Sequence, residues 1–246
     1  MMRKKIFNLL AALVLAATAT AGVSASAAAA DKTDKGSKDA QSVRVPLNLA
    51  VLVQDDLVSR VGNELSVTRD FIRSLPEGSQ VMVAYVTAGS LQVRQNFTVD
   101  LESAARALRV PVGSTSASPY NPYVEVREGL KRFPEGGRNV NAMLLISDGL
   151  DSSRGLDFAT SVKSIDLERA ISEAARRGVA VYSFYAPSAG LTSYSRTAAN
   201  YGQSALKRLS DGTGGRAFTQ GSSFVTFDPY FRALARAINT QHGGAR

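Results

Sequence analysis

The sequence contains no cysteine and no tryptophan, and its one histidine, His242, stands four residues from the end. Without thiols there is no disulfide framework, no cysteine nucleophile, no thiolate zinc site and no iron–sulfur cluster. A lone histidine near the end argues against a Ser–His–Asp triad or a multi-histidine metal centre. Charge is also sparse, at 20% of residues and without a run of five or six like charges. These absences argue against most hydrolytic chemistry. What is present, 246 residues of which 44% are hydrophobic, describes one globular domain with an appendage and excludes a disordered or collagen-like chain.

The net charge of +8 is partly an N-terminal matter. Residues 1–30 carry Arg3, Lys4 and Lys5 and no acid, and beyond them 26 basic face 21 acidic residues. That mild, dispersed excess gives no reason to expect a nucleic-acid partner. The same three cations precede an apolar stretch, Ile6 to Ala17, and then the small-residue patterns Ala19-Thr20-Ala21 and Ala25-Ser26-Ala27. This is the order of a secretory signal peptide. The apolar run is shorter than the ~20 residues of a spanning helix, and no cysteine follows it to accept a lipid. The expectation is a signal over 1–30 and an exported chain, periplasmic or secreted, with no transmembrane segment after cleavage. A polar linker should occupy 31–42, the folded domain 43–242, and a short tail 243–246.

From Val43 onward, apolar runs alternate with amphipathic stretches. Leu47 to Val53, Val81 to Val86, Ala142 to Ile146 and Val179 to Tyr185 read as strands buried on both faces. Leu91, Val93 and Phe97 alternate with Gln92, Arg94 and Asn96, which predicts an antiparallel edge strand. Arg216 to Phe218 reads as a short sixth strand. Helical spacing marks 63–75, a helix after Asp100, one through Tyr123 to Phe133, one around Leu167 to Ala174, one ending near Gly212 and a last one after Asp228-Pro229. The pattern predicts an α/β doubly wound, mostly parallel six-stranded sheet with one antiparallel edge strand and helices on both faces. Ala186 to Asn200 reads as a long polar connection, either a recognition loop or a surface loop.

In such folds ligands meet the carboxyl ends of the central strands. Three segments should converge there: 54–59 after the first strand, 113–118 before the Tyr123 helix, and 147–153 after the fourth strand. Asp55, Asp56, Ser59, Thr115 and Asp148 are therefore the candidate ligand-binding residues. Carboxylates and hydroxyls gathered at one edge suit a hard divalent ion, although Asp and Ser are also common loop-capping residues. Adjacent Asp55 and Asp56 project to opposite sides of an extended chain, unlike the paired carboxylates of a metal-dependent phosphatase of the haloacid-dehalogenase type. The glycine-rich stretch 212–216 joins a helix to a strand, the wrong order for a phosphate cradle.

Four phrases in this order, Ser79 to Ala84, Gly113-Ser114-Thr115, Leu145-Ile146-Ser147-Asp148-Gly149 and Thr213 to Phe218, resemble the von Willebrand factor type A domain. The narrower resemblance is to the exported bacterial VWFA-related group, typical of acidobacteria. It implies a metal-ion-dependent adhesion site, D-x-S-x-S after the first strand with a loop Thr and an Asp after the fourth. Thr115 and Asp148 match the last two positions. The first motif is broken in either register: Gln54, Asp56 and Val58, or Asp55, Leu57 and Ser59. The resemblance so modified implies a non-catalytic protein-binding module with a degenerate site and no resident cofactor. The alternative is divalent-metal-dependent binding or hydrolysis at the Asp148 edge, with Asp55, Ser59, Thr115 and Asp148 holding Mg²⁺ or Ca²⁺. The protein partner is not legible from the residues.

Overall fold

The computed structural model describes residues 42–119, 121–153, 155, 163–219 and 226–242. The expected signal peptide, nearly all of the expected linker and the tail lie outside these residues. Six strands form one sheet in the order β3-β2-β1-β4-β5-β6. They are β1 (Leu47–Gln54), β2 (Gln80–Thr87), β3 (Ser90–Thr98), β4 (Val140–Ser147), β5 (Ala180–Tyr185) and β6 (Ala217–Phe218). All neighbours pair in parallel except β2 and β3, which form an antiparallel hairpin. Chain order reverses direction between β1 and β4, so the switch point, and the crevice it opens, lies beyond Gln54 and Ser147.

The helices are α1 (Val61–Arg73), α2 (Leu101–Ala107), α3 (Pro122–Leu130), α4 (Ile165–Arg176), α5 (Arg196–Gly212) and α6 (Asp228–His242). Alternation along β1 feeds two cores, because successive side chains leave opposite faces of a strand. Leu49, Val51 and Val53 pack in one layer with Phe71, Ile72, Ala105 and Leu234 of α1, α2 and α6. Ala50 and Leu52 pack in the other with Val126, Leu167 and Leu206 of α3, α4 and α5. The first layer is closed by a cluster of rings in which Phe184 meets Phe218, Phe227, Tyr230 and Phe231 at 4.9–5.4 Å. On β3, Gln92, Arg94 and Asn96 stay exposed while Leu91, Val93 and Phe97 join the second core. Asp100 caps α2 by accepting from Ser103 N–H at 2.9 Å. Among the described residues no helix is long and apolar enough to cross a membrane.

The structure corrects the reading of 186–200 as one loop. A 3₁₀ turn occupies Leu191–Ser193 and α5 already begins at Arg196, with the Ser195 hydroxyl accepting from Ala198 N–H at 3.2 Å. The missed turns of α5 bury Ala198, Ala199 and Gly202. Their small side chains give no hydrophobic period until Leu206, so nothing in the pattern announces the helix.

Those small residues let backbone meet backbone. A Cβ on Gly202 would stand 2.0 Å from Asp148 O, and one on Gly149, whose φ is +69°, would stand 2.5 Å from Gly202 O. The end of β4 is thus pressed against α5, which fixes where Asp148 begins. Gly202→Ala should lower the unfolding free energy by about 2 kcal/mol through overpacking, although alanine favours helix by ~1 kcal/mol. Urea denaturation of the variant checks this.

Candidate functional site

The segments after β1 and β5 meet in front of the end of β4. Val58 N–H donates to Pro187 O at 3.1 Å, Ala189 N–H donates to Asp56 O at 2.7 Å, and Leu57 forms a β-bridge with Ser188. The connection from β5 is therefore a roof over the crevice. Beneath it Asp148 is only 3% exposed and Asp56 is fully buried.

Gln54, the last residue of β1, ties the floor together. Its Oε1 accepts from Asp148 N–H at 3.2 Å and from the Ser147 hydroxyl, and its Nε2 donates to Asp56 Oδ1 at 2.7 Å. The Asp148 N–H can only donate, which orients the amide with its oxygen inward and its nitrogen toward Asp56. Both carboxylate oxygens of Asp148 are engaged. Oδ1 accepts from Leu150 N–H at 3.1 Å, and Oδ2 accepts from the Thr192 hydroxyl at 3.0 Å. Thr192 in turn accepts from Ser188 N–H at 2.9 Å. Tyr123 at the start of α3 donates its hydroxyl to Gly149 O at 2.7 Å. Asp56 Oδ2, by contrast, is buried with no hydrogen-bond partner among the described residues.

The other candidates lie elsewhere. Asp55 accepts two 2.6 Å bonds from the Arg109 guanidinium, and a third at 3.1 Å from Val112 N–H. Arg109 also stacks 4.1 Å over the Tyr85 ring, and its backbone brackets the Tyr85 hydroxyl. Asp55 is held in this ion pair and does not face Asp148's hydrogen-bond network. Ser59 is exposed and its carbonyl receives Gly62 N–H at the entry to α1. Thr115 is exposed at the start of a 3₁₀ turn, Thr115–Ala117, beside Gly190 of the roof. The structure thus joins Asp56 and Asp148 through Gln54, places Thr115 on the rim, and diverts Asp55. Sequence reasoning did not find Thr192, Ser188 or Arg109, and it named Ser147 only as part of the converging strand end. Only the unusual length of the β5–α5 connection signalled the first two.

The geometry can be compared with known proteins. No family model and no curated protein matches the sequence. Solved structures do superpose on the fold. They include an aerotolerance-related membrane protein from Bacteroides fragilis, with a TM-score of 0.52 and 12% identity, covering 79% of this chain and 99% of that one. Another is BatB from Bacteroides thetaiotaomicron, with a TM-score of 0.53 and 14% identity, covering 80% and 100%. The strand order and the two-sided helix packing decide the architecture. The chain has the von Willebrand A-type fold. At these identities the likeness speaks for the fold alone.

That fold implies a divalent ion at the Asp148 edge, which needs about six oxygen donors in open geometry. The residues present do not fit one. Gln54 Oε1 and both Asp148 oxygens already carry donors, Val58 offers only carbon, and Asp55 is paired with Arg109. Asp56 Oδ2 and the Thr115 hydroxyl remain. Among the described residues no group of three or more Asp, Glu or His side chains is placed to hold a metal ion.

Electrostatics follow from burial. Burial, with the charge of Asp56 beside it, pushes Asp148 up to about 6, against the smaller opposing effect of its hydrogen bonds. Burial also raises Asp56, opposed by the Gln54 and Ser118 side chains. Tyr123 is raised well above its ordinary range by burial and by Asp148 and Asp151.

Two predictions arise here. Because the folded Asp148 pKa lies above its ordinary 3.8, its contribution to stability is fully present below about pH 4 and is lost as pH rises through 6. Across that window wild type should lose about 2 kcal/mol relative to Asp148→Asn, measured by chemical denaturation of both proteins across pH 4–7. Arg109→Leu should cost about 2 kcal/mol. That is less than the 3–5 kcal/mol of a fully buried broken pair, because Arg109 is partly exposed. The same denaturation assay at neutral pH reads it.

Proposed function

We propose that this chain is an exported, non-catalytic protein-binding module that meets its partner at the carboxyl edge of the sheet without a divalent ion. The observation that carries the reading is the engagement of Asp148, both of whose carboxylate oxygens are taken up by its own loops. A carboxylate so occupied offers neither a metal ligand nor an accessible base for hydrolysis. The rim around it is suited to protein contact. Val112 is 63% and Tyr194 75% exposed, and Thr115, Ser116 and Ser193 are exposed hydroxyls on the same loops. Large rigid aromatics among small adaptable hydroxyls make effective contact surfaces. Export rests on the N-terminal pattern of three cations, an apolar run and small residues.

The test has three readouts on one preparation. Isothermal titration of chelator-stripped protein should show no binding of Mg²⁺, Ca²⁺ or Mn²⁺ tighter than about millimolar. Capture of a partner from envelope extract should survive chelator and be lost in Thr115→Trp. No turnover of phosphoesters or peptides should appear with any of the three ions. Micromolar ion binding, or turnover, that Asp148→Ala removes would overturn the reading.

A further inference from the structure

Among the described residues, Asp56 Oδ2 is the one side-chain oxygen of the Gln54–Asp56–Asp148 system without a hydrogen-bond partner, the Ser118 side chain approaching the same carboxyl. A buried acceptor left unpaired costs roughly 1–3 kcal/mol, more when it is charged. Among the described residues no basic side chain forms an ion pair with Asp56 or Asp148, and burial raises the cost of charge on both, with Asp56 adding to that of Asp148. The site therefore lacks positive charge, and a ligand that brings it recovers both deficits at once. Resting on the protein-binding reading above, we propose that Asp56 Oδ2 receives a primary ammonium group, the side chain of a lysine on the protein partner.

The chemistry selects among cations. A divalent ion finds too few free oxygens. A guanidinium fork pairs best with both oxygens of one carboxylate, but Asp56 Oδ1 already accepts from Gln54 Nε2. An ammonium is a point donor with three hydrogens. It can take the single free oxygen and spend its others on hydroxyls, of which Ser118 approaches Asp56 and Thr115 stands on the turn just before it. Entry is from the side of that turn. The Ser114 and Ser116 hydroxyls bond each other at 2.8 Å, and the turn is tied below by Gly113 N–H to Asp55 O at 3.1 Å.

The probe is n-butylammonium chloride, titrated into the full chain while the amide resonances of residues 112–118 and 56–58 are followed by NMR. Saturable shifts confined to those amides are expected. They should weaken roughly tenfold in Asp56→Asn and should not be reproduced by potassium chloride or by sodium butyrate at equal ionic strength. Circular dichroism shows whether Asp56→Asn stays folded, and Ser118→Ala serves as a milder second variant with a smaller weakening. Unsaturable shifts, equal shifts in folded Asp56→Asn, or the same shifts with potassium overturn the assignment. Partner capture separates the two claims. Capture lost in Thr115→Trp but unaffected by Asp56→Asn and by acetylation of the partner's lysines refutes the ammonium contact and leaves the protein-binding reading standing. Butylammonium binding in a protein whose capture ignores Thr115→Trp refutes that reading instead.

Discussion

The amide of Gln54 is the interaction on which the candidate site depends. It stands at the end of the central strand, accepts from the backbone and side chain that begin the β4 loop, and donates to Asp56. One neutral side chain thereby holds the Asp56 carboxylate and the backbone that carries Asp148 without supplying charge to either acid. An aspartate at this position would add a third carboxylate and require a cation between them. The glutamine removes that requirement, and with it much of the electrostatic reason for a divalent ion to reside there.

The roof completes what the amide begins. Pairing of 57–58 with 187–188 closes the crevice at the switch point, and Thr192 reaches down to Asp148. The contact of Gly149 with Gly202 sets the height at which this happens, because any side chain there would push the β4 loop away from α5. Fold and site are thus coupled through small residues: the glycine that lets α5 approach β4 also decides that Asp148 ends up beneath a cover. Desolvation of the two acids is the cost of this arrangement: burial raises the pKa of both, and the charge of Asp56 raises that of Asp148 further.

Most of the fold was legible because burial on two faces writes continuous apolar runs, and the exposed edge of β3 writes alternation. The Asp100 cap was legible for the same reason, a local bond between near neighbours. The start of α5 was hidden by Ala198, Ala199 and Gly202, which bury a helix face without large side chains. In the site, the position of Asp148 followed from a strand end and that of Thr115 from the loop before the Tyr123 helix, but the fate of Asp55 did not. Its partner Arg109 lies 54 residues away, and nothing local distinguishes that arginine from the others. Gln54 was visible only as a departure from a motif. Its bridging role depends on where Ser147 and Asp56 point, which is a tertiary fact.

A crystal structure of the protein grown with Mn²⁺ and measured at an anomalous wavelength tests the central claim most directly. The account predicts Gln54 Oε1 still receiving Asp148 N–H, Thr192 still on Asp148, and no manganese peak within ligand distance of either carboxylate. A manganese peak between Asp56 and Asp148, with the Gln54 amide rotated away and the roof displaced, would contradict it.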